Sequence, residues 1–131
     1  MQARLEEIVR AFGADLGTIH RLEGEGLLVL RAAVGVPPPV LKLIERVPVG
    51  KGMAGLAAER NEPVSSCNIQ TDRTGDVQPG ARATGASGAL VVPIRDAAGK
   101  AVGALGIGVN RAHQYTAEET ARLVSAAAAL A

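Results

Sequence analysis

The segment VPVGKGMAGLAAERNEPV, residues 47–64, carries the most informative pattern of the chain. Its glycines Gly50, Gly52 and Gly55 match the G-x-G-x-x-G pattern of dinucleotide-binding loops, and Asp72 follows where a ribose-binding acid is expected. Such a loop needs a buried strand before it and a parallel strand after its helix. Pro48 lies just before the first glycine and cannot donate to a neighbour in a central strand. The context of the pattern therefore argues against dinucleotide binding.

The same residues are typical of a tight turn followed by a short helix. Gly50 and Gly52 permit the positive φ angles of a turn, and residues 53–60 form the helix. The helix ends before Pro63, because the residue that precedes a proline avoids the helical region. Val64 then begins a strand.

Length and composition indicate one domain over residues 1–131. Lys and Arg number 14 against 13 Asp and Glu, so no basic surface for nucleic acid is expected. No apolar run approaches the length of a membrane span, and acidic residues stand near the N-terminus where a signal peptide would be apolar. The single cysteine, Cys67, fits a reducing compartment. We expect a cytoplasmic protein that binds neither nucleic acid nor membrane.

Apolar spacing and turn residues predict the remaining elements. Helices are expected at residues 4–12 and 40–46 and after a capping box that starts at Thr116; strands are expected at 15–22, 27–34, 64–69, 89–94 and 101–109, with an irregular loop at 70–86. In the last strand Gly106 and Gly108 place no side chains on one face, which indicates the close approach of another element or a ligand. The order is α+β with an antiparallel sheet.

Three segments together resemble GAF domains, the sensory modules of bacterial signalling proteins and transcription activators. They are VPVGKGMAGLAAERNEPV, ALVVPIRDAAGKAVGALGIG and YTAEETARLVSAAAALA, which are similar to the family's central motif, paired strands and closing helix. The resemblance spans nearly the whole chain. It implies a central antiparallel sheet of about six strands, with the terminal helices on one face. A ligand pocket under loops and short helices is implied on the other face.

Seven side chains are expected to surround one concavity between the sheet and the irregular loop: Met53, Ser66, Cys67, Asp72, Arg73, Arg82 and Ser87. The loop charges Asp72, Arg73, Asp76 and Arg82 either stay solvated or fold over the pocket, where arginine can bind a carboxylate or phosphate. No catalytic or metal site is expected, since His20 and His113 lack neighbours at metal-ligand spacing and Ala89 replaces the last glycine of a G-x-S-x-G motif.

Members of the family with known chemistry differ from this chain at the decisive positions. Free methionine-sulfoxide reductases carry a cysteine where Ala54 stands, and a second cysteine that falls near Arg82. Cys67 alone cannot form their intramolecular disulfide. Bilin-binding members have a Cys-His pair, whereas Asn68 follows Cys67; cyclic-nucleotide-binding members need a Phe, and none follows Phe12. Haem-binding members need an axial histidine, for which His20 and His113 are the only candidates. No cofactor is expected.

The resemblance therefore implies a non-catalytic module that binds a small molecule and acts through dimer contacts of its terminal helices, with a signalling or transcription-regulatory protein as a further partner. The alternatives are a reductase that uses Cys67 and a dimerisation module with an empty pocket. A homodimer is expected because both terminal helices carry an apolar stripe: Leu5, Ile8, Val9 and Phe12 in the first, and Leu123, Val124, Ala127 and Leu130 in the last. The alternative is a monomer in which both stripes are used up on the chain's own sheet.

Overall fold

This computed structural model describes residues 1–71, 82 and 84–131. Within these residues the chain forms six strands and four helices. In chain order they are α1 (Gln2–Ala11), β1 (Leu16–Glu23), β2 (Leu27–Val34), α2 (Pro38–Ile44), β3 (Arg46–Pro48), α3 (Gly52–Arg60), β4 (Val64–Ser66), β5 (Gly88–Arg95), β6 (Ala101–Val109) and α4 (Ala117–Ala128). No helix in these ranges is both long enough and apolar enough to cross a membrane.

The strands form one sheet in the order β3-β2-β1-β6-β5-β4. Every neighbouring pair is antiparallel. The strands that flank α3 in the chain, β3 and β4, lie at opposite edges, so α3 connects the two edges across one face of the sheet. A dinucleotide-binding loop needs parallel neighbours around its helix. The antiparallel topology therefore also argues against dinucleotide binding. The α+β fold with an antiparallel sheet, which the sequence predicts, is confirmed.

The glycines of the central motif serve the backbone turn and its packing. Gly50 and Gly52 adopt positive φ angles of 91° and 69°. The Gly50 N–H donates to the carbonyl oxygen of Gly55 at 2.9 Å, which closes the turn onto α3. A Cβ atom at Gly55 would collide with the carbonyl oxygen of Pro48. The G-x-G-x-x-G spacing is therefore explained without a phosphate.

Strand β3 was not predicted from the sequence, which indicated a helix at 40–46 followed by a turn. The predicted helix at 40–46 ends at Ile44, and Pro48 pairs with Leu27 at the edge of the sheet. Proline is tolerated there because an edge strand has one side that donates to no neighbour. Strand β3 was missed because Pro48 was considered only as a residue of a central strand. The strand predicted at 64–69 is also shorter, since β4 ends at Ser66.

The terminal helices α1 and α4 cover one face of the sheet. Both predicted stripes face inward: Leu5, Ile8, Val9, Leu123, Ala127 and Leu130 are buried against strand residues such as Ile19 and Leu105, and Phe12 and Val124 pack at the margin of this core. The guanidinium of Arg122 lies over the Phe12 ring at 4.6 Å, which joins α4 to the end of α1. The stripes therefore cover the chain's own sheet, the arrangement that the monomer alternative requires.

The capping box predicted at Thr116 is present at the start of α4. The Glu119 N–H donates to Thr116 Oγ1 at 3.1 Å, and the Thr116 N–H donates to Glu119 Oε1 at 2.9 Å. The latter bond lowers the pKa of the Glu119 carboxyl. Both bonds satisfy backbone N–H groups at the helix start that have no acceptor within the helix.

Asn61 connects the end of α3 to the hairpin of β5 and β6. It ends the helix in the left-handed conformation, with a φ of 54°. Its side-chain amide donates to the carbonyl oxygen of Gly99 at 2.8 Å. The Arg95 guanidinium donates to the side-chain oxygen of Asn61 at 2.8 Å and to its carbonyl oxygen at 2.7 Å.

We expect Asn61→Ala to lower the free energy of unfolding by about 2–4 kcal/mol, because it removes two side-chain hydrogen bonds and leaves alanine in the left-handed region. Asn61→Gly should cost about 1 kcal/mol less, since glycine adopts that region freely. Urea denaturation measures both. Asn110→Ala, at an exposed asparagine, serves as the control and should change little. Equal losses in all three variants would contradict this role of Asn61.

Candidate functional site

A concavity of about 260 Å³ lies on the sheet face opposite α1 and α4. Strands β1, β5 and β6 form its floor, while α2, β3 and the start of α3 form its walls, together with Ile69, Thr84 and Ala86. Its lining is mostly apolar, and it is somewhat smaller than the usual range for ligand pockets, roughly 300–1,000 Å³. The size suits a small ligand.

Two glycines of β6 keep the floor low. Gly106 and Gly108 line the concavity, and a Cβ atom at Gly106 would lie 3.1 Å from Thr18 Oγ1 and 3.3 Å from Val91 Cγ2. A Cβ atom at Gly108 would lie 3.0 Å from the Cβ of Ala86. These are the glycines that the sequence marked as a point of close approach, and both lie in the lining of this concavity.

His20 is the most deeply buried polar residue of the lining, with 3% of its surface exposed. Its Nε2 lies 2.8 Å from the carbonyl oxygen of Ile44, which only accepts, so Nε2 carries the proton. Nδ1 is then a buried acceptor, and it has no partner within the described ranges. Burial lowers the pKa of His20 and so favours the neutral ring, an effect that the hydrogen bond to Ile44 opposes.

The first turn of α3 also faces the concavity. Lys51, Gly52, Met53 and Ala54 all belong to the lining. The first N–H groups of a helix have no acceptor within it, and no side chain caps α3. The N–H groups of Gly52, Met53 and Ala54 also have no other acceptor in the part of the chain that the structure describes. A partial positive charge results at this wall.

The charged residues of the lining have one sign. Arg46 and Lys51 are exposed at its margin, and no Asp or Glu contributes to the lining among residues 1–71, 82 and 84–131. Arg46 lies 3.9 Å from Glu45, a pair in which both side chains are largely exposed and which is therefore weak. The electrostatic character of the concavity favours an anion.

The residues predicted as ligand-binding are distributed differently. Met53 lines the concavity. Ser66 is buried in β4, Cys67 is exposed and Ser87 is half-buried, and none of these is among the lining residues. Arg82 is exposed and its Nε donates to the carbonyl oxygen of Ile69 at 3.1 Å. Asp72 and Arg73 lie outside the described residues.

Several lining residues escaped the sequence analysis, although a signal for some was present. Leu16, Thr18 and His20 alternate along β1, so the period of two places His20 on the same face as the others. The N–H groups of α3 carry no side-chain signal. Arg46 and Lys51 reach the site because β3 and the turn border it, and β3 was not foreseen.

A second polar cluster lies near the start of α4, away from the lining residues. His113 Nε2 lies 3.2 Å from both carboxylate oxygens of Glu119, and its ring stands edge-on to Tyr115 at 4.5 Å. Burial and then the charge of Glu119 raise the pKa of Tyr115 to about 12. No group of three or more potential metal ligands occurs among the residues described. The cluster is explained by the packing and capping of α4.

Comparison with known proteins identifies relatives of this fold. Residues 1–131 match the family model of the GAF domain. The structure is similar to the GAF domain of a phosphoenolpyruvate-protein phosphotransferase from Coxiella burnetii, with 26% identity and a TM-score of 0.80 over 96% of this chain and 74% of that one. A search of curated proteins finds no significant match.

Two further solved structures show the same fold at lower identity. A type II free methionine-R-sulfoxide reductase from Thermoplasma acidophilum has 23% identity and a TM-score of 0.80, over 99% of this chain and 86% of that one. A domain assigned to a two-component sensor histidine kinase from Sinorhizobium meliloti 1021 has 18% identity and a TM-score of 0.76, over 98% and 83%. The neighbours thus include both signalling proteins and an enzyme.

Proposed function

Because the chain belongs to the GAF domain family, we propose that it is a sensory module that binds a small molecule in the concavity and performs no chemistry on it. The observation that carries this proposal is the concavity itself, an opening of about 260 Å³ with a mostly apolar lining. Gly106 and Gly108 keep its floor low, and a Cβ atom at either position would crowd neighbouring side chains. Mostly apolar concavities with a few polar groups are where small ligands bind in proteins.

The sheet provides a direct path from the concavity to the terminal helices. Along β6, Gly106 and Gly108 face the concavity, while Leu105 and Ile107 belong to the core beneath α1 and α4. Ile107 also contributes to the lining. A ligand that shifts β6 therefore changes the packing of both terminal helices, since packed cores transmit strain. We propose that these helices carry the signal to a signalling or transcription-regulatory partner.

The absence of catalysis in this proposal rests on the residues at the concavity. Ala54 lies in the lining at the position where the similar sulfoxide reductases carry a cysteine. Cys67 is exposed and does not contribute to the lining among the residues that are described. One cysteine also cannot form an intramolecular disulfide to complete a reductive cycle.

A homodimer remains part of the proposal, with a contact surface other than the one first expected. The apolar stripes of α1 and α4 are buried in their own core, so a second subunit would contact the outer sides of these helices. The outer side of α4 exposes Ala117, Ala121 and Ala128, which permit a close approach.

Filling the concavity should abolish ligand retention. We expect native mass spectrometry of gently purified protein to show a small bound molecule, and Ala54→Leu to lose it because leucine occupies the space. Ala58→Leu, a half-buried site on the same helix outside the lining, should retain it. An unliganded wild-type protein whose melting temperature no small-molecule panel raises would contradict the proposal and favour an empty dimerisation module.

The protein should not reduce free methionine sulfoxide with thioredoxin or dithiothreitol as the reductant, since no cysteine reaches the concavity. Product formation measured by chromatography checks this expectation. Turnover that is lost in Cys67→Ser and kept in Ser65→Ala, at an exposed neighbour, would establish the reductase alternative instead.

Analytical ultracentrifugation at about 50 micromolar protein should show a dimer. Ala121→Glu should shift the protein to a monomer, because it places an unpaired charge in the contact. Ala97→Glu, in the exposed turn between β5 and β6, should leave the dimer intact. A single monomeric species for the wild-type protein would show that the terminal helices serve only the chain's own sheet.

A further inference from the structure

The centre of the concavity floor is a row of three residues that crosses three strands. Gly106 of β6 pairs with Thr18 of β1 on one side and with Val91 of β5 on the other, and all three line the concavity. A Cβ atom at Gly106 would lie 3.1 Å from Thr18 Oγ1 and 3.3 Å from Val91 Cγ2. The Thr18 hydroxyl therefore lies at the centre of the floor, beside the backbone of Gly106.

This hydroxyl is available to a molecule in the concavity. Thr18 Oγ1 makes no hydrogen bond within the described part of the chain. The residue is half-buried, and its Oγ1, unlike Nδ1 of His20, retains accessible surface. Leu16, Thr18 and His20 alternate along β1 and all line the concavity, so this surface opens into it. A hydroxyl can both donate and accept a hydrogen bond.

The other polar side chains of the lining cannot take this role. One ring nitrogen of His20 donates to a backbone carbonyl, and the other has no accessible surface. Thr84 Oγ1 already accepts from a backbone N–H at 3.3 Å. Arg46 and Lys51 are exposed at the margin. In the described part of the lining, Thr18 is therefore the neutral polar side chain that a ligand on the floor can reach.

The charges of the lining act against a cationic ligand. Arg46, Lys51 and the uncapped N–H groups of α3 are all positive, and no Asp or Glu contributes to the lining among the described residues. Both cationic side chains are exposed, so water and salt screen their attraction for an anion. A carboxylate against the floor would lose its hydration with one hydroxyl to replace it. The floor therefore suits an oxygen that carries no full charge.

Leu43 indicates an apolar body for the outer part of the ligand. It lines the concavity from α2, although 61% of its surface is exposed. Apart from Met1, it is the one large apolar side chain that is exposed in the described part of the chain. A ligand that stands on the floor would cover part of this surface, which is favourable for an aliphatic group. The volume of about 260 Å³ limits that group to a short chain.

We infer that the concavity binds a short, uncharged aliphatic molecule through the Thr18 hydroxyl, which forms a hydrogen bond with an alcohol or carbonyl oxygen of the ligand. The aliphatic body lies over Gly106 and contacts Val91 and Leu43. Thr18 thereby determines which end of the ligand enters the concavity. The inference rests on the proposed function, since it names the class of molecule that the sensory concavity takes.

NMR titrations of 15N-labelled protein with four probes, at about 0.15 M salt, test the ligand class. Three probes share one aliphatic body and differ in the polar group: 3-methylbutan-1-ol, 3-methylbutanoate and 3-methylbutylamine. Glycerol offers hydroxyls without that body. We expect the alcohol to shift the amides of Thr18 and Gly106 saturably. It should bind about 3-fold more tightly than the acid, and about 10-fold or more tightly than the amine or glycerol.

Variants of Thr18 test the hydrogen bond. Thr18→Val preserves the branched shape and removes the hydroxyl, so it should weaken the alcohol about 3- to 10-fold, as for one neutral hydrogen bond. Thr18→Ser keeps the hydroxyl and should retain most of the affinity. Ser65→Ala removes an exposed hydroxyl outside the lining and should change nothing. Circular dichroism first checks that each variant is folded; if Thr18→Val is not, Thr18→Ala takes its place.

The possible failures are distinguishable. Alcohol binding that the loss of the Thr18 hydroxyl leaves unchanged would overturn the role of Thr18. Binding of the acid or the amine as tightly as the alcohol would overturn the uncharged class, and equal binding of glycerol would overturn the aliphatic body. If no probe binds while native mass spectrometry still shows a retained molecule that Ala54→Leu removes, the ligand class is wrong and the proposed function stands. If nothing is retained either, both fail.

Discussion

The alternation of side chains along β6 is the constraint on which the rest of the structure depends. Leu105 and Ile107 belong to the core under the terminal helices, while Gly106 and Gly108 line the opposite face. A strand must point successive residues to opposite faces, so one face can be packed densely and the other left open only if their sequences differ. Because β6 pairs with both β1 and β5, its low face becomes the centre of the floor. The concavity is thus a consequence of the fold's central strand.

Much of the fold follows from local chemistry that the sequence displays. The capping box at Thr116, the turn glycines of the central motif and the period of the strands each specify an element without help from distant residues. Strand β3 could not be found in this way. It has three residues and contains Pro48. It forms because it pairs with the edge of β2, and this pairing depends on tertiary structure. Likewise, the left-handed conformation of Asn61 is explained by its hydrogen bonds with Arg95, a residue distant in the sequence.

The site was less predictable than the fold for a related reason. Most of the residues predicted to bind a ligand are polar and lie on or near the irregular loop, and of those that the structure describes Met53 is the one in the lining. The groups that shape the concavity are backbone N–H groups at Gly52 and its neighbours, a histidine on a core strand and the missing side chain of Gly106. Backbone N–H groups occur at almost every residue, and a glycine has no side chain, so neither identifies a binding site from the sequence alone. His20 was discounted because it has no metal-ligand neighbour, yet it lies in the lining of the concavity.

The central claim is that a small molecule occupies the concavity, and amide NMR tests it most directly. Spectra of 15N-labelled protein are recorded as gently purified and again after the retained molecule has been removed by unfolding and refolding. The account predicts shifts between the spectra at Gly52, Met53 and Ala54 and at Gly106, with no change at Gly24, which is exposed in the turn between β1 and β2. Shifts confined to exposed residues, or none at the start of α3, would contradict the account.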